Sequence, residues 1–177
     1  LALVNPTVTL VQDAKGRSNL DPILEAFPPE QPPPAPPEKP AAPPVVNLRL
    51  VRIENATLRQ TTHRADGGRD VVEVSAFNLT ARTLANNQTG RVEVAATVAL
   101  DQPAAPPRAA ASLRAALAGA FDLQLTANLM PGMLRGNTTL TVQQATGPLA
   151  ELTGLAVKLD AQVSPLSLIH ISEPTRL

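Results

Sequence analysis

The sequence predicts a mostly β protein: an antiparallel, meander-like curved sheet with an apolar groove, one short helix near residues 21–27, and a proline-rich loop. Three observations carry this reading. Apolar residues recur at every second position in several runs, which places them on one side of an extended strand. Turn-forming residues separate these runs at short intervals. Aromatic residues are scarce, with three Phe and neither Trp nor Tyr. Burial must then come from Ala, Val and Leu, which suits a shallow sheet face better than a tightly packed enzyme core.

The first element, residues 1–27, reads as strand, turn and short helix. The strand is Thr7–Gln12 and the turn is Asp13-Ala-Lys-Gly16. Asp21 stands where a helix N-cap is expected, and Pro22 suits the first helical position. Residues 28–44 are rich in proline, which lacks a backbone donor and has a fixed φ, so this tract cannot join a sheet interior. Stretched as polyproline II at ~3.1 Å per residue it would reach roughly 50 Å. It is read as a loop between strand blocks rather than as a ligand for a proline-recognition domain. The cluster Pro103–Pro107 is read as a shorter loop of the same kind.

Residues 45–165 carry the sheet repeats. Leu48 and Leu50 alternate with polar neighbours, and a slip at Val51 suggests a bulge. Val72, Val74 and Ala76 form the next series. Val92, Val94, Ala96, Val98 and Leu100 form another. Phe121, Leu123, Leu125 and Ala127 follow, then Leu155, Val157, Leu159, Ala161 and Val163. Turns are expected at Ala65–Gly68, Asn86–Gly90, Pro131-Gly132 and Gly136-Asn137. The alanine-rich stretch Ala104–Ala118 is ambiguous. Leu113 and Leu117, four apart, suit a helix, whereas continuity with the alternation from Phe121 favours a strand from about Ser112. About eight strands at ~4.8 Å spacing would make a ribbon roughly 40 Å long.

Residues 166–177, beginning Leu166-Ser-Leu-Ile-His-Ile, resemble the in-frame translation of a sequencing adapter. They are expected to be a scar outside the native fold, as in a fragment assembled from metagenomic DNA. The first residue is Leu1 and no signal peptide is apparent in Leu1–Leu20, so the N-terminus is likewise expected to be missing.

Composition narrows the function. Fifteen basic and fifteen acidic residues leave no net charge, which disfavours a nucleic-acid partner. With no cysteine there is no disulfide or thiolate metal site. No run is long enough for a membrane-spanning helix. His63 is the one histidine before the scar and is read as a solvent-facing residue beside a turn, because it lacks a clustered carboxylate. Asp66 and Asp70 flank Gly67-Gly68 without EF-hand spacing. Arg49, Arg52, Arg59, Arg64 and Arg69 are expected to form a modest basic cluster on a solvated face. No nucleophile elbow, paired catalytic carboxylates or phosphate loop stands out. The sequence thus predicts no catalytic residue, no cofactor and no metal.

An ordered set of short motifs carries a family resemblance. Asn5–Leu20 places Asp13, Gly16, Asn19 and Leu20 in an apolar strand, acidic turn and Asn-Leu pattern. Ile53-Glu54-Asn55-Ala56-Thr57-Leu58 and Phe77-Asn78-Leu79-Thr80 follow in order. Over roughly residues 3–100 this resembles the AsmA family of bacterial envelope proteins. The resemblance implies a periplasmic module tied to the inner membrane by an anchor outside these residues. It also implies a long curved sheet with an apolar groove, and a non-enzymatic role in lipid transport or outer-membrane assembly. Its partners would be phospholipids or other acyl lipids. The expected lipid-facing residues are Val92, Val94, Ala96, Val98, Leu100, Phe121, Leu123 and Leu125. Periodicity alone leaves an open groove and a closed core equally allowed. It also leaves a structural or adhesive β repeat, and an accessory domain of a larger enzyme, as alternatives.

Overall fold

The computed structural model describes residues 1–26, 45–128 and 130–164. The proline-rich tract and the adapter-like run lie outside the described residues.

The chain forms one open sheet of eight strands, the mostly β architecture that alternation and turns predicted. Its strands are β1 (Ala2–Val4), β2 (Thr7–Gln12), β3 (Asn47–His63), β4 (Arg69–Ala85), β5 (Thr89–Gln102), β6 (Ala111–Leu125), β7 (Pro131–Thr146) and β8 (Ala156–Val163). From β3 to β8 each strand pairs antiparallel with the next. The short strands β1 and β2 both pair with β3, and both run parallel to it. They share one edge position, so the sheet is seven positions wide, about 30 Å at ~4.8 Å per position. The central strands are long; the 17 residues of β3 extend about 55 Å at ~3.3 Å each.

Helix α1 (Asp21–Ala26) falls where Asp21-Pro22 placed it. The capping detail differs. The carboxylate of Asp21 accepts hydrogen bonds from the backbone N–H and hydroxyl of Ser18, at 2.8 and 2.7 Å, while the Leu20 carbonyl accepts the first helical bond from Leu24. Asp21 is therefore the first helical residue rather than the N-cap, and its carboxylate closes the turn that leads into the helix. A 3₁₀ helix at Gly147–Leu152 was not foreseen; Gly147-Pro148 is its sequence signal. The alanine-rich stretch is strand from Ala111, and a four-residue spacing serves a strand as well as a helix, because it is even.

The predicted turns at Asp13–Gly16 and Ala65–Gly68 lie between elements, and that at Asn86–Gly90 is shorter than expected, since Thr89 and Gly90 already belong to β5. Gly16 and Gly67 have φ of 85° and 81°, values that favour glycine. Two expected turns are absent. Pro131-Gly132 opens β7, where Gly132 is the extra residue of a bulge, and Gly136-Asn137 lies inside β7, paired with Phe121 and Ala120. The expected bulge at Val51 is also absent, since the β3–β4 register runs unshifted from Asn47 to Ile53.

The bulge comes at Asn55. There β3 has one extra residue relative to β4, and β4 repays it at Ala76. Asn5, Asn55 and Ala76 all have positive φ, 51°, 51° and 48°. Asparagine tolerates this region better than most residues. The side chains stitch the row together. Asn55 Nδ2 donates to Asn5 Oδ1 at 2.9 Å, Asn55 N–H donates to Asn78 Oδ1 at 3.0 Å, and Asn78 Nδ2 donates to the Ala76 carbonyl at 2.8 Å. One extra residue reverses the alternation of a strand. Here the reversal occurs side by side in β1/β2, β3 and β4, so all of them change phase together.

The buried core is small and aliphatic: Ala81, Ala85, Ala96, Ala111, Ala115, Val142 and Ala145. Among the described residues no large side chain is fully buried, as the low aromatic content implied.

Candidate functional site

Directly paired residues in a sheet project to the same face. Following the pairs outward from β5 therefore traces each face. Val92 pairs with Phe121 and Ala81, Val94 with Gly119 and Leu79, and Val98 with Ala115 and Val74. The trace continues through Ile53 and Leu58 of β3, and through Leu3 of β1 and Val8 of β2. On the other side it passes through Leu134 and Leu140 of β7 to Val163 and Val157 of β8. One apolar face thus crosses every strand. The row of bulges makes this continuous: Ile53 and Leu58 are five apart, as are Leu79 and Val74, yet each pair shares the face.

All eight predicted residues lie on this face. Val92, Val94, Val98, Leu100, Phe121, Leu123 and Leu125 are half-buried and Ala96 is buried. Glu93 and Gln124 project to the opposite face, beside Ala120 and Thr89 respectively. Sequence reasoning missed the contribution of β3, β4, β7 and β8 to the same surface. Their alternation was visible, but in β3 and β4 the bulges at Asn55 and Ala76 broke its phase. Ala76 itself leaves the Val72, Val74 series at the bulge, and Phe77 and Leu79 carry the face onward.

Among the described residues no second layer lies over this face, apart from the 3₁₀ helix. Leu149 and Leu152 of that helix pack on Ala115, Val142 and Ala145 at one end. Even so, Ala81 and Ala96 are only 4% and 7% exposed. Small side chains in a single layer reach such values where larger neighbours on a curved face lean over them. Toward the β8 edge the face is more open, with Val157, Leu159 and Val163 all exposed. An added Cβ at Gly136 would collide with the Ala120 carbonyl and the Phe121 ring, and one at Gly119 would press that ring at 3.1 Å. The aromatic ring therefore lies across two glycines and fills what would be a gap. At the open end, Leu123, Pro131, Met133, Leu134 and Val163 line an apolar depression of about 380 Å³.

The charged groups lie elsewhere and serve the frame. Asp13 is held below its ordinary value of 3.8, chiefly by the Arg17 backbone N–H. Asp66 is lowered in the same way by the Gly68 N–H, and Asp21 by the Ser18 hydroxyl. Asn19 accepts from Val11 N–H and donates to the Thr9 carbonyl, so it covers the outer edge of β2. Asp13, Gly16, Asn19, Asn55 and Asn78, which carried the family pattern, thus all have structural roles in turns, bulges or edges. The five arginines expected to cluster are spread along the β3–β4 hairpin, with Arg49, Arg52 and Arg59 in β3, Arg64 in the turn and Arg69 at the start of β4. Arg52 pairs with Glu54 at 3.0 Å, Arg59 with Glu73 at 4.0 Å, and Arg64 with Asp70 at 2.8 Å. His63 is the exposed last residue of β3. Among the described residues no three His, Asp or Glu side chains group as a metal site.

No family model, curated protein or solved structure matches this chain.

Proposed function

We propose that this chain is a non-enzymatic, AsmA-like module whose apolar face receives the acyl chains of phospholipids. Its setting would be the periplasm, attached to the inner membrane through an anchor outside these residues, in lipid transport or outer-membrane assembly. The observation that carries the reading is the unbroken apolar face across all the strands, with charged and polar residues on its reverse. An apolar sheet face needs a cover, and an aliphatic surface without specific polar contacts suits mixed lipid tails. Burial of a methylene contributes about 0.8 kcal/mol. Ten methylenes covered on one side would gain about 4 kcal/mol, enough to hold a lipid yet release it.

Lipid recovered with the purified protein, measured by mass spectrometry, tests this. Val94→Asp or Leu123→Asp should cut recovery on the order of tenfold, because a carboxylate against acyl chains is poorly solvated. Val94→Leu should retain it, with far-UV circular dichroism confirming the sheet in each. Undiminished recovery in folded aspartate variants would refute the proposal.

A further inference from the structure

The two ends of the sheet differ in charge. One end carries the start of β3, the β4–β5 turn, the β6–β7 loop and the end of β8. Residues 45–48, 83–90, 123–128, 130–134 and 161–164 contribute to it, and among these described residues none is charged. It also displays apolar side chains to solvent: Val45 is 89% exposed and Met130 66%. The opposite end holds Arg64, Asp66, Asp70 and Arg108, joined by ion pairs of 2.7–3.2 Å.

Immediately inside the uncharged end runs a transverse row on the polar face. Arg82 pairs with Arg91, Arg91 with Asp122, and Asp122 with Arg135. All four side chains are exposed. Arg91 binds Asp122 at 3.2 Å and Glu93 at 3.1 Å. Three arginines and one aspartate give the row itself a charge of +2, which Glu93 on Arg91 lowers to +1. From Asp122 to Leu125 the strand advances about 10 Å, so the row stands about that far back from the end of β6.

We infer that this end of the sheet docks on an anionic phospholipid surface, with the uncharged rim in the headgroup region and the arginine row against phosphates. An uncharged rim enters the interface without the cost of desolvating an ion. Guanidinium groups pair with phosphate oxygens in charge-assisted bonds, and basic residues within a Debye length of an anionic surface are attracted to it. The apolar depression beside Leu123 and Val163 opens at this same rim, so docking brings it to the lipid. The inference concerns the rim rather than the face, and its test reads vesicle binding rather than lipid recovery, so either proposal can fail alone.

The protein has no tryptophan, so one introduced tryptophan is a clean reporter. With vesicles of phosphatidylcholine and phosphatidylglycerol, Met130→Trp should shift its emission to the blue and be quenched by brominated lipid. Ala65→Trp, at the opposite end, should do neither. Affinity should fall with added sodium chloride, and by about fivefold for each of Arg82→Gln and Arg135→Gln. Arg114→Gln, toward the other end, should leave it unchanged. Equal responses at both ends, no response at Met130→Trp, or equal losses from Arg114→Gln would overturn the inference. So would a blue shift that grows with protein concentration without vesicles, since another copy would then cover the rim.

Discussion

Replacing Asn55 by valine removes the residue that keeps the two halves of β3 in phase. Asn55 has a φ of 51°, a region that costs an L-residue with a Cβ about 1–2 kcal/mol, and valine, branched at Cβ, sits at the upper end of that range. Its side chain also donates to Asn5 Oδ1 at 2.9 Å. That bond is exposed, so its loss adds only about 0.5 kcal/mol. Asn55→Val should therefore cost about 2 kcal/mol, or a fall in Tm of roughly 4–8 °C for a chain of this size. Asn55→Gly loses the same bond without the strain and should cost under about 1 kcal/mol. Deleting Asn55 should do far more harm, because Leu58 would then turn to the polar face or lose its pairing with Val74. Urea unfolding followed by far-UV circular dichroism ranks the three. A valine variant as stable as the parent, or a glycine variant less stable than valine, would refute the account of the bulge.

Other expectations follow from the same frame. Gly136→Ala should lower stability by about 1–3 kcal/mol, because the new methyl meets the Ala120 carbonyl and the Phe121 ring; thermal unfolding measures it. Asp13, Asp21 and Asp66 are held below 3.8, so they bind protons less readily folded than unfolded. Their stabilisation is complete above the unfolded carboxylate range near pH 4 and is lost as pH falls through the lower folded values. Midpoints measured across pH should stay level from about 7 to 5 and decline below about 4, less steeply in Asp13→Asn. Replacing residues 28–44 with a short Gly/Ser bridge should leave the strand signal nearly unchanged, because loop length affects stability only slowly. A large loss of β signal would show that the tract packs on the sheet.

Much of the fold was legible because β alternation and turn chemistry are local. The runs at Val92–Leu100 and Phe121–Leu125 stood out since β5 and β6 pair from end to end without a shift. The series at Val72–Ala76 misled at its last member, because Ala76 sits in a bulge that compensates for one in the neighbouring strand. Such compensation is a property of two strands together and leaves no mark in either alone. The Gly136-Asn137 pair looked like a turn for a related reason. Its glycine answers the Phe121 ring on the adjacent strand, a contact 15 residues away in sequence. Parallel pairing of β1 and β2 with β3 was equally hidden, because it spans the proline-rich tract. The apolar face emerged only in part, as two series rather than one surface, because its continuity depends on the asparagine row.

The most direct test of the central claim is site-specific photocrosslinking to lipid. A photoreactive residue at Val94 or Leu123, on the apolar face, should capture labelled phospholipid in cells. The same residue at Glu93 or Gln124, one position away along each strand, should not. Equal capture from both faces, or none from either, would contradict the account and leave the apolar surface a purely structural feature.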